Sequence, residues 1–295
     1  MKQNIEAIRE SAAQLLSVKM GKKMIVDSLS TVSGGCINEC YEVSTTDGKF
    51  FLKQNTAGSA AAMFECEVKG LELLNNAVAG ISPAVIYCTT DKLYSGLMLE
   101  WIEPGKSSPD FWHHFAQQLS LLHQHTQPLF GLDHDNFIGS LPQNNSFMDS
   151  WNSFFILCRI EPQLKKAIDG KKLPKEIHTN FEKLFSKLHD FFPVEKPAFL
   201  HGDLWSGNFL TTVDGKVRLI DPAVYYGHRE MDLSMAKLFG GFDRSFYSCY
   251  QDYFPMEKGY EQRMTVQQLY PLLVHLNLFG AHYATEVATI IKRFG

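Results

Sequence analysis

The segment that begins with HGDLWSGN and ends with DPA, residues 201–223, constrains the fold of this chain more than any other part of its sequence. After the polar run it continues through two short β-prone runs that meet at Asp214-Gly215, a dipeptide typical of tight hairpin turns. Asp221 follows directly after the second run. Because a short hairpin returns the chain to its starting point, we expect Asp221 to lie beside Asn208.

The spacing of polar residues in this segment is that of a phosphoryl-transfer centre. In protein kinases a loop aspartate accepts the substrate hydroxyl proton, an asparagine five positions later binds Mg²⁺, and a second metal-binding aspartate follows on the next strand. Asp203 and Asn208 have this spacing, and Asp221 has the place of the second aspartate. A loop cap at Asp203 and a plain turn at Asp221 are the structural alternatives. The agreement of loop, hairpin and spacing favours Asp203 as the catalytic residue, with Asn208 and Asp221 holding Mg²⁺ through hard oxygen ligands.

The composition limits the classes of partner. The chain has 295 residues, 45% of them hydrophobic, and a formal net charge of −4, which gives no general reason to bind nucleic acid or an anionic membrane. A small-molecule substrate is therefore expected, and either a monomer or a homodimer is compatible with the sequence. The first 20 residues lack a signal-peptide pattern, no apolar run is long enough for a membrane span, and the six cysteines lack metal-ligand spacing. We expect a cytoplasmic protein.

The order of predicted elements indicates two lobes. β-prone runs and two helices with apolar residues at helical spacing occupy the first hundred residues: helices at 1–20 and 60–77, and strands at 24–32, 40–44, 49–53, 84–89 and 96–101. Beyond the Pro/Gly/Ser-rich segment 103–109 the pattern is mainly helical: 111–124, 150–167, 175–192, 233–239, and 265–293 with a break near Pro271. We predict an α+β, two-lobed protein-kinase-like fold. A small antiparallel-sheet lobe (1–102) would bind nucleotide, and a larger, mainly helical lobe (103–295) would carry catalytic and substrate-binding residues.

Several residues of the first lobe occupy the positions of a nucleotide site. Gly34-Gly35 joins the first two strands, where kinases place a glycine-rich cover over the ATP phosphates, although it lacks the GxGxxG pattern and is also a plain turn sequence. Lys53 ends the third strand, as does the kinase lysine that binds the α- and β-phosphates. On the following helix Glu67 is its predicted partner, with Glu65 as a rival.

The last strand of the first lobe ends at a candidate hinge. Met98, Glu100 and Trp101 lie on or next to this strand, where backbone groups would bind adenine. That contact needs no particular side chain, so the sequence predicts only its location, and Met98 is also compatible with an ordinary core position.

The residues around the catalytic segment are candidates for substrate binding and for support of the loop. Polar and aromatic groups suit a sugar-like ligand, whose hydroxyls need directional partners and whose ring packs on aromatic faces. Five residues form the predicted substrate set: Trp205, Tyr225, Tyr226, His228 and Glu230. We expect His201 to orient the loop by hydrogen bonding and Asp232 to brace it. Capping of the next helix is the alternative for Glu230 and Asp232.

Motifs spread over most of the chain resemble those of the fructosamine kinase (ketosamine-3-kinase) family, which has the fold of protein kinases and aminoglycoside phosphotransferases. They are HGDLWSGN (201–208), DPAVYYGHREMDL (221–233), LFGGF (238–242), GGC (34–36), MFECE (63–67), FG (130–131), WNSFF (151–155), Arg159 and LFG (278–280). The tryptophan after HGDL, joined to YYGHRE, is the most specific part of this resemblance. DPA replaces the kinase DFG signature, so an activation switch based on that phenylalanine is not expected.

The resemblance implies an enzyme that uses ATP and Mg²⁺ to phosphorylate a ketoamine, typically at its 3-hydroxyl, with either a small glycated amine or a glycated protein as substrate. The phosphate can then leave and free the modified amine, which would give the enzyme a deglycation role. Two alternatives remain open: a kinase of the same fold that acts on an aminoglycoside or amino-alcohol, and a catalytically silent nucleotide-binding protein.

Cys36 follows the glycine pair and generates a testable prediction. If oxidation of its thiol gates access of ATP, peroxide will lower the activity of the wild-type chain and leave Cys36→Ser active. The matched measurement is the initial rate of both proteins before and after peroxide treatment. Equal rates in the two treated proteins would contradict a redox role and indicate a small buried residue.

Overall fold

The chain divides into two compact units that do not follow a single cut in the sequence. The computed structural model describes residues 2–32, 38–56, 58–91 and 94–295. One unit comprises Met1–Ser107 with Leu210–Ile220, and the other comprises Ser108–Phe209 with Asp221–Gly295. The chain therefore passes between the units three times. The predicted division after residue 102 lies five residues before the first passage, and the sequence analysis did not predict that residues 210–220 join the first unit.

Unit 1 is built on a five-stranded antiparallel sheet with the spatial order β1-β2-β3-β5-β4. Its strands are β1 (Val26–Thr31), β2 (Glu39–Thr45), β3 (Gly48–Asn55), β4 (Val85–Asp91) and β5 (Tyr94–Glu100), and its helices are α1 (Lys2–Met20) and α2 (Ala60–Ala77). The predicted helix at 60–77 is confirmed, and each predicted strand is present with ends shifted by a few residues.

The two helices cover opposite faces of this sheet. Met98 packs in one core cluster with the apolar positions of α1, whereas its neighbours Leu97 and Leu99 pack in another with Phe64 and Leu71 of α2. Successive residues of a strand point to opposite faces, so the two clusters lie on the two sides of the sheet. Burial on both faces explains why β5 is apolar through successive positions instead of alternating.

The hairpin predicted at Asp214-Gly215 is confirmed, and it belongs to unit 1. It consists of strands β9 (Phe209–Thr211) and β10 (Val217–Leu219), which form a two-stranded sheet. Its first strand accepts a hydrogen bond at the Thr211 carbonyl from the Gly105 amide, at 2.8 Å. Its second strand donates from the Leu219 amide to the Ile81 carbonyl, at 2.7 Å.

Unit 2 is mainly helical, with short strand pairs that frame the catalytic segment. Its helices are α3 (Phe111–His123), α4 (Trp151–Phe154), a π-helix (Phe155–Ile160), α5 (Glu161–Asp169), α6 (Ile177–Phe191), α7 (Glu230–Leu238), α8 (Arg244–Tyr253), α9 (Tyr260–Gln267), α10 (Leu269–Phe279), a 3₁₀ turn (Ala281–Tyr283) and α11 (Ala284–Phe294). Its strands are β6 (Asn136–Ile138), β7 (Leu141–Gln143), β8 (Ala198–Leu200) and β11 (Tyr225–Gly227). β8 and β11 pair antiparallel and place the chain that enters the catalytic loop beside the chain that leaves Asp221.

Two predicted helices differ from the structure. The helix expected over 150–167 contains a π-helical segment between α4 and α5. The break expected near Pro271 is confirmed, because α9 ends at Gln267 and α10 begins at Leu269; Pro271 lies in the first turn of α10, where its missing amide hydrogen removes no helical hydrogen bond. The helix predicted over 265–293 has a second interruption, because α10 ends before Gly280, whose φ of 115° is favourable only for glycine.

The predicted α+β architecture, with a small antiparallel-sheet unit and a larger helical unit, is confirmed. None of the helices described combines the length and apolar content needed to cross a bilayer.

The attachment of the hairpin to unit 1 can be tested at Gly105. A Cβ at this position would lie 2.0 Å from the Thr212 carbonyl oxygen, so Gly105→Ala must displace the hairpin backbone. We expect the variant to lose about 1–3 kcal/mol of unfolding free energy in chemical denaturation, as overpacked sites do. Gly58→Ala is the matched control because a Cβ there meets no atom within 4 Å. Equal stability of the two variants would contradict close packing at Gly105.

Candidate functional site

The candidate nucleotide-binding residues of unit 1 are centred on Lys53. Lys53 lies on β3 between β2 and β5 and is only 5% exposed. Its Nζ donates to Glu67 Oε1 on α2 at 2.6 Å, which resolves the predicted pairing in favour of Glu67. The ion pair supplies a compensating charge for a lysine held inside the sheet. It fixes the ammonium group at one position on the strand.

The other predicted nucleotide residues of unit 1 have different surroundings. Met98 is buried in the α1 core cluster, so its side chain has a structural role. Glu100 accepts a hydrogen bond from the Ala84 amide, and the Trp101 indole donates to Glu103. Gly34, Gly35 and Cys36 lie outside the described residues.

The catalytic loop of unit 2 is held by the carboxylate of Asp232, as the sequence analysis predicted. The two oxygens of Asp232 accept hydrogen bonds from the main-chain amides of His201, at 2.8 Å, and Gly202, at 2.9 Å. His201 Nδ1 in turn accepts from the Asp203 amide at 3.3 Å. Three consecutive residues of the loop are therefore positioned by hydrogen bonds to their amide groups.

His123 and Tyr250, which the sequence analysis did not predict, support the side chain of Asp232. His123 Nε2 lies 3.2 Å from Asp232 Oδ2, and His123 Nδ1 lies 2.8 Å from the hydroxyl of Tyr250. Both side chains are fully buried. His123 is more than 100 positions from Asp232 in the chain, so no local motif joins them. A histidine on the apolar face of α3 was the only available signal.

The catalytic loop also packs tightly against the chain that follows Asp221. The Ala223 amide donates to the His201 carbonyl at 2.9 Å. A Cβ on Gly202 would lie 2.0 Å from the Ala223 carbonyl oxygen, and Gly202 has a φ of 82°. Only glycine satisfies both conditions, which accounts for the glycine in HGD.

Asp203 and Asn208 are in direct contact. The Asn208 amide nitrogen donates to the side-chain Oδ2 and to the main-chain carbonyl of Asp203, both at 2.9 Å. These bonds fix the orientation of the Asn208 side-chain amide. They use its Nδ2 atom and do not involve its Oδ1 atom. Burial, followed by the negative charge of Asp221, raises the pKa of Asp203 to about 7. A cation bound to Asp221 would relieve that repulsion.

Asp221 has a strained backbone. Its φ of 54° lies in the left-handed region, which residues other than glycine adopt uncommonly. Asn208 and Asp221 together offer amide and carboxylate oxygens, the donor types that Mg²⁺ prefers. Within the described residues no group of three or more His, Cys, Asp or Glu side chains could hold a metal. A Mg²⁺ ion that completes its shell with phosphates and water needs no such group.

Two of the predicted substrate residues are partly exposed. Trp205 covers Gly207, where a Cβ would lie 2.4 Å from the indole ring, and its ring lies 6.3 Å from that of Phe239. Tyr226 on β11 packs against Phe199 at a ring distance of 5.0 Å. These two side chains remain candidates for substrate contact.

The other three predicted substrate residues, Tyr225, His228 and Glu230, have buried side chains, which does not favour contact with a substrate. The Tyr225 ring lies 3.9 Å from the guanidinium carbon of Arg159. Glu230 accepts hydrogen bonds from Arg263 at 2.6–3.2 Å, an ion pair that the sequence analysis missed. Glu230 is therefore paired with Arg263, whereas the His228 ring nitrogens and the Tyr225 hydroxyl have no hydrogen-bond partner among the described residues.

Comparisons with known proteins match nearly the whole chain. The profile of the fructosamine kinase family matches residues 8–294. A ketoamine kinase assigned by prediction in Enterococcus faecium is 37% identical, over 95% of this chain and 98% of that protein. The chloroplastic protein-ribulosamine 3-kinase of Arabidopsis thaliana is 35% identical, over 93% and 84%. A crystal structure from Thermobifida fusca, provisionally assigned as a fructosamine-3-kinase, is 31% identical and superposes with a TM-score of 0.86, covering 96% of this chain and 97% of the other.

The burial of His228 generates a prediction about stability and pH. Burial lowers the pKa of His228 from 6.5 to about 4, although the charge of Glu195 acts in the opposite direction. Below pH 6.5 the unfolded chain therefore binds a proton at His228, whereas the folded chain does not bind it until the pH falls to about 4. The stability from the neutral ring is complete above pH 6.5 and falls by about 3 kcal/mol as the pH drops to 4.

The measurement is urea unfolding of the wild type and of His228→Gln at several pH values. We expect the variant to lose less stability on acidification. Parallel curves for the two proteins would show that His228 does not titrate in this way.

Proposed function

The chain belongs to the fructosamine kinase family, and we propose that it transfers the γ-phosphoryl group of ATP to the 3-hydroxyl of a sugar-derived ketoamine such as a fructosamine or ribulosamine. The family assignment makes the chain a phosphotransferase. The observation that carries the proposal for the site is the contact of Asp203 with Asn208 inside a loop held by Asp232. In this proposal Asp203 is the carboxylate that orients the acceptor hydroxyl, and Asn208 beside it is a ligand of the metal ion.

Asp203 is the proposed catalytic residue. Its carboxylate would orient the acceptor hydroxyl and take its proton, while the hydrogen bond from Asn208 keeps one carboxylate oxygen in place. Phosphoryl transfer requires little covalent chemistry from the protein, so positioning and electrostatic stabilisation supply most of the rate. The loop hydrogen bonds of Asp232 and His201 serve that positioning.

Asn208 and Asp221 are the proposed ligands of Mg²⁺. When bound, the ion supplies positive charge that neutralises the β- and γ-phosphates. The elevated pKa of Asp203 supports this assignment, because burial is its main cause and the negative charge of Asp221 adds to it, which indicates that the two carboxylates are close. Lys53 of unit 1 is the proposed partner of the non-transferred phosphates, and Glu67 holds its ammonium group in place.

The cellular role that follows is removal of sugar adducts. A phosphate on the 3-carbon of a ketoamine is a better leaving group than the hydroxyl it replaces. Elimination of the phosphate, with loss of a proton from the sugar carbon chain, followed by hydrolysis of the remaining carbon–nitrogen bond by water, would release the amine and a dicarbonyl sugar fragment. We propose that the chain serves this deglycation, with the free or protein-bound form of the amine left to be identified by assay.

The proposal is tested by Mg²⁺-dependent release of ADP with a panel of acceptors: fructosyl-lysine, ribulosyl-lysine, choline, an aminoglycoside and an unmodified peptide. We expect selective stimulation by a ketoamine. In Asp203→Ala that stimulation should fall by about 10³-fold, the size of effect typical of a general base. The thermal shift caused by Mg·ATP should persist in the variant, because Asp203 is not a proposed ligand.

Stimulation by choline or the aminoglycoside alone would keep the fold and replace the substrate. ATP consumption without any acceptor-dependent increase would favour a nucleotide-binding protein. Undiminished turnover in Asp203→Ala would remove the catalytic role of that residue.

A further inference from the structure

The short segment after Asp221 is anchored by side chains that the proposed mechanism does not use. Gln143 Nε2 donates to the Ala223 carbonyl at 3.1 Å, and Asn136 Nδ2 donates to the Val224 carbonyl at 2.8 Å. These carbonyls lie two and three residues beyond the proposed metal ligand. Side-chain amides therefore hold the backbone just after Asp221.

The two amides form a rigid pair. Asn136 and Gln143 face each other across the β6–β7 hairpin, and Gln143 Nε2 also donates to Asn136 Oδ1 at 2.8 Å. The hydroxyl of Tyr270 donates to Gln143 Oε1 at 2.6 Å. Both amides are buried, so each orientation is fixed by protein partners rather than by exchange with water.

The direction of the hydrogen bonds is set by a buried arginine. Arg159 is 0% exposed and can only donate, and its Nη2 donates to Asn145 Oδ1 at 2.7 Å. The Asn145 amide nitrogen must then face the other way, and it donates to Asn136 Oδ1 at 3.0 Å. That leaves the Asn136 nitrogen to donate to the Val224 carbonyl. A flipped amide at either asparagine would oppose two donors or two acceptors.

Arg159 is itself immobilised. Its Nη1 donates to the Asn144 carbonyl at 2.6 Å, and its guanidinium carbon lies 3.9 Å from the Tyr225 ring and 4.5 Å from the Phe154 ring. It lies in the π-helix, a geometry that often occurs at functional sites because the extra residue redirects side chains. Arg159 therefore acts on the anchored segment through Asn145 and Asn136, and it also contacts Tyr225, the residue that directly follows Val224.

We propose that Asn136 and Gln143, oriented by Arg159, Asn145 and Tyr270, are positioning residues for the carboxylate of Asp221. They hold the following backbone by its carbonyls, while the Ala223 amide is held by the His201 carbonyl of the catalytic loop. Strained backbone at Asp221 persists only when its surroundings determine it fully, and this network provides that determination. The proposal rests on the proposed role of Asp221 as a metal ligand.

The test measures metal binding directly. Mn²⁺ is titrated into the protein with a non-hydrolysable ATP analogue, and free Mn²⁺ is followed by electron paramagnetic resonance. Gln143→Met keeps the side-chain length and removes the hydrogen bonds to Ala223, Asn136 and Tyr270. We expect its Mn²⁺ dissociation constant to rise by about 10-fold or more, as for residues that orient metal ligands.

The matched control is Gln163→Met in α5. Gln163 is also a buried glutamine of unit 2, and its Oε1 accepts from Asn277 at 2.9 Å, away from the segment 222–224. Both variants lose buried hydrogen bonds and should lose thermal stability. Only Gln143→Met should weaken Mn²⁺ binding and raise the Mg²⁺ concentration needed for half-maximal turnover. Unchanged Mn²⁺ affinity in Gln143→Met, with a loss of stability like that of the control, would overturn the proposal.

Tyr270→Phe decides the question if Gln143→Met does not fold. It removes only the hydroxyl that orients Gln143, so Mn²⁺ binding should weaken in the same direction by a smaller factor, and unchanged affinity would again overturn the proposal. Asp221→Ala separates the two hypotheses. If it leaves Mn²⁺ affinity unchanged, the metal assignment itself fails; if it abolishes binding while Gln143→Met and Tyr270→Phe do not affect it, only the positioning role fails.

Discussion

The catalytic loop depends on one buried carboxylate. Asp232 accepts hydrogen bonds from the main-chain amides of His201 and Gly202 at the point where the chain leaves β8. Its charge is also favoured by its place in the first turn of α7, where the helix dipole is positive. Amides offered to a carboxylate form stronger hydrogen bonds than amides offered to a neutral group. The loop can therefore adopt an irregular path without leaving buried donors unpaired.

The backbone on the far side of the site is held by groups of opposite character. The loop amides face an acceptor, the Asp232 carboxylate, whereas the carbonyls of Ala223 and Val224 face donors from side-chain amides. Each choice matches the polarity of the backbone group it serves. Buried polar groups of unit 2 thus fix irregular main chain, while apolar clusters fix the regular strands of unit 1. Lys53 on β3 is a buried charge that is paired with Glu67.

The sequence predicted those parts of the molecule whose signals are local. Patterns of a few residues are the source of four such features: the helix at 60–77, the Asp214-Gly215 hairpin, the five-residue spacing of Asp203 and Asn208, and the bracing by Asp232. The supports His123 and Arg263 could not be predicted, because their partners are distant in the chain. Polar residues near a catalytic motif are equally consistent with substrate contact and with buried support. That ambiguity applies to Tyr225, His228 and Glu230, which the sequence assigns to the substrate and the structure buries.

The return of residues 210–220 to unit 1 affects the order in which the chain can fold during synthesis. The hydrogen bond from the Leu219 amide to the Ile81 carbonyl joins positions separated by more than 130 residues. When only the first hundred residues have left the ribosome, the β9–β10 hairpin has not yet been synthesised. Unit 1 therefore remains incomplete while most of unit 2 is translated. Contacts of such separation close slowly because a long loop must be ordered first. The ribosome therefore releases the two units as interleaved and interdependent segments, and neither has its full sequence before the other is well advanced.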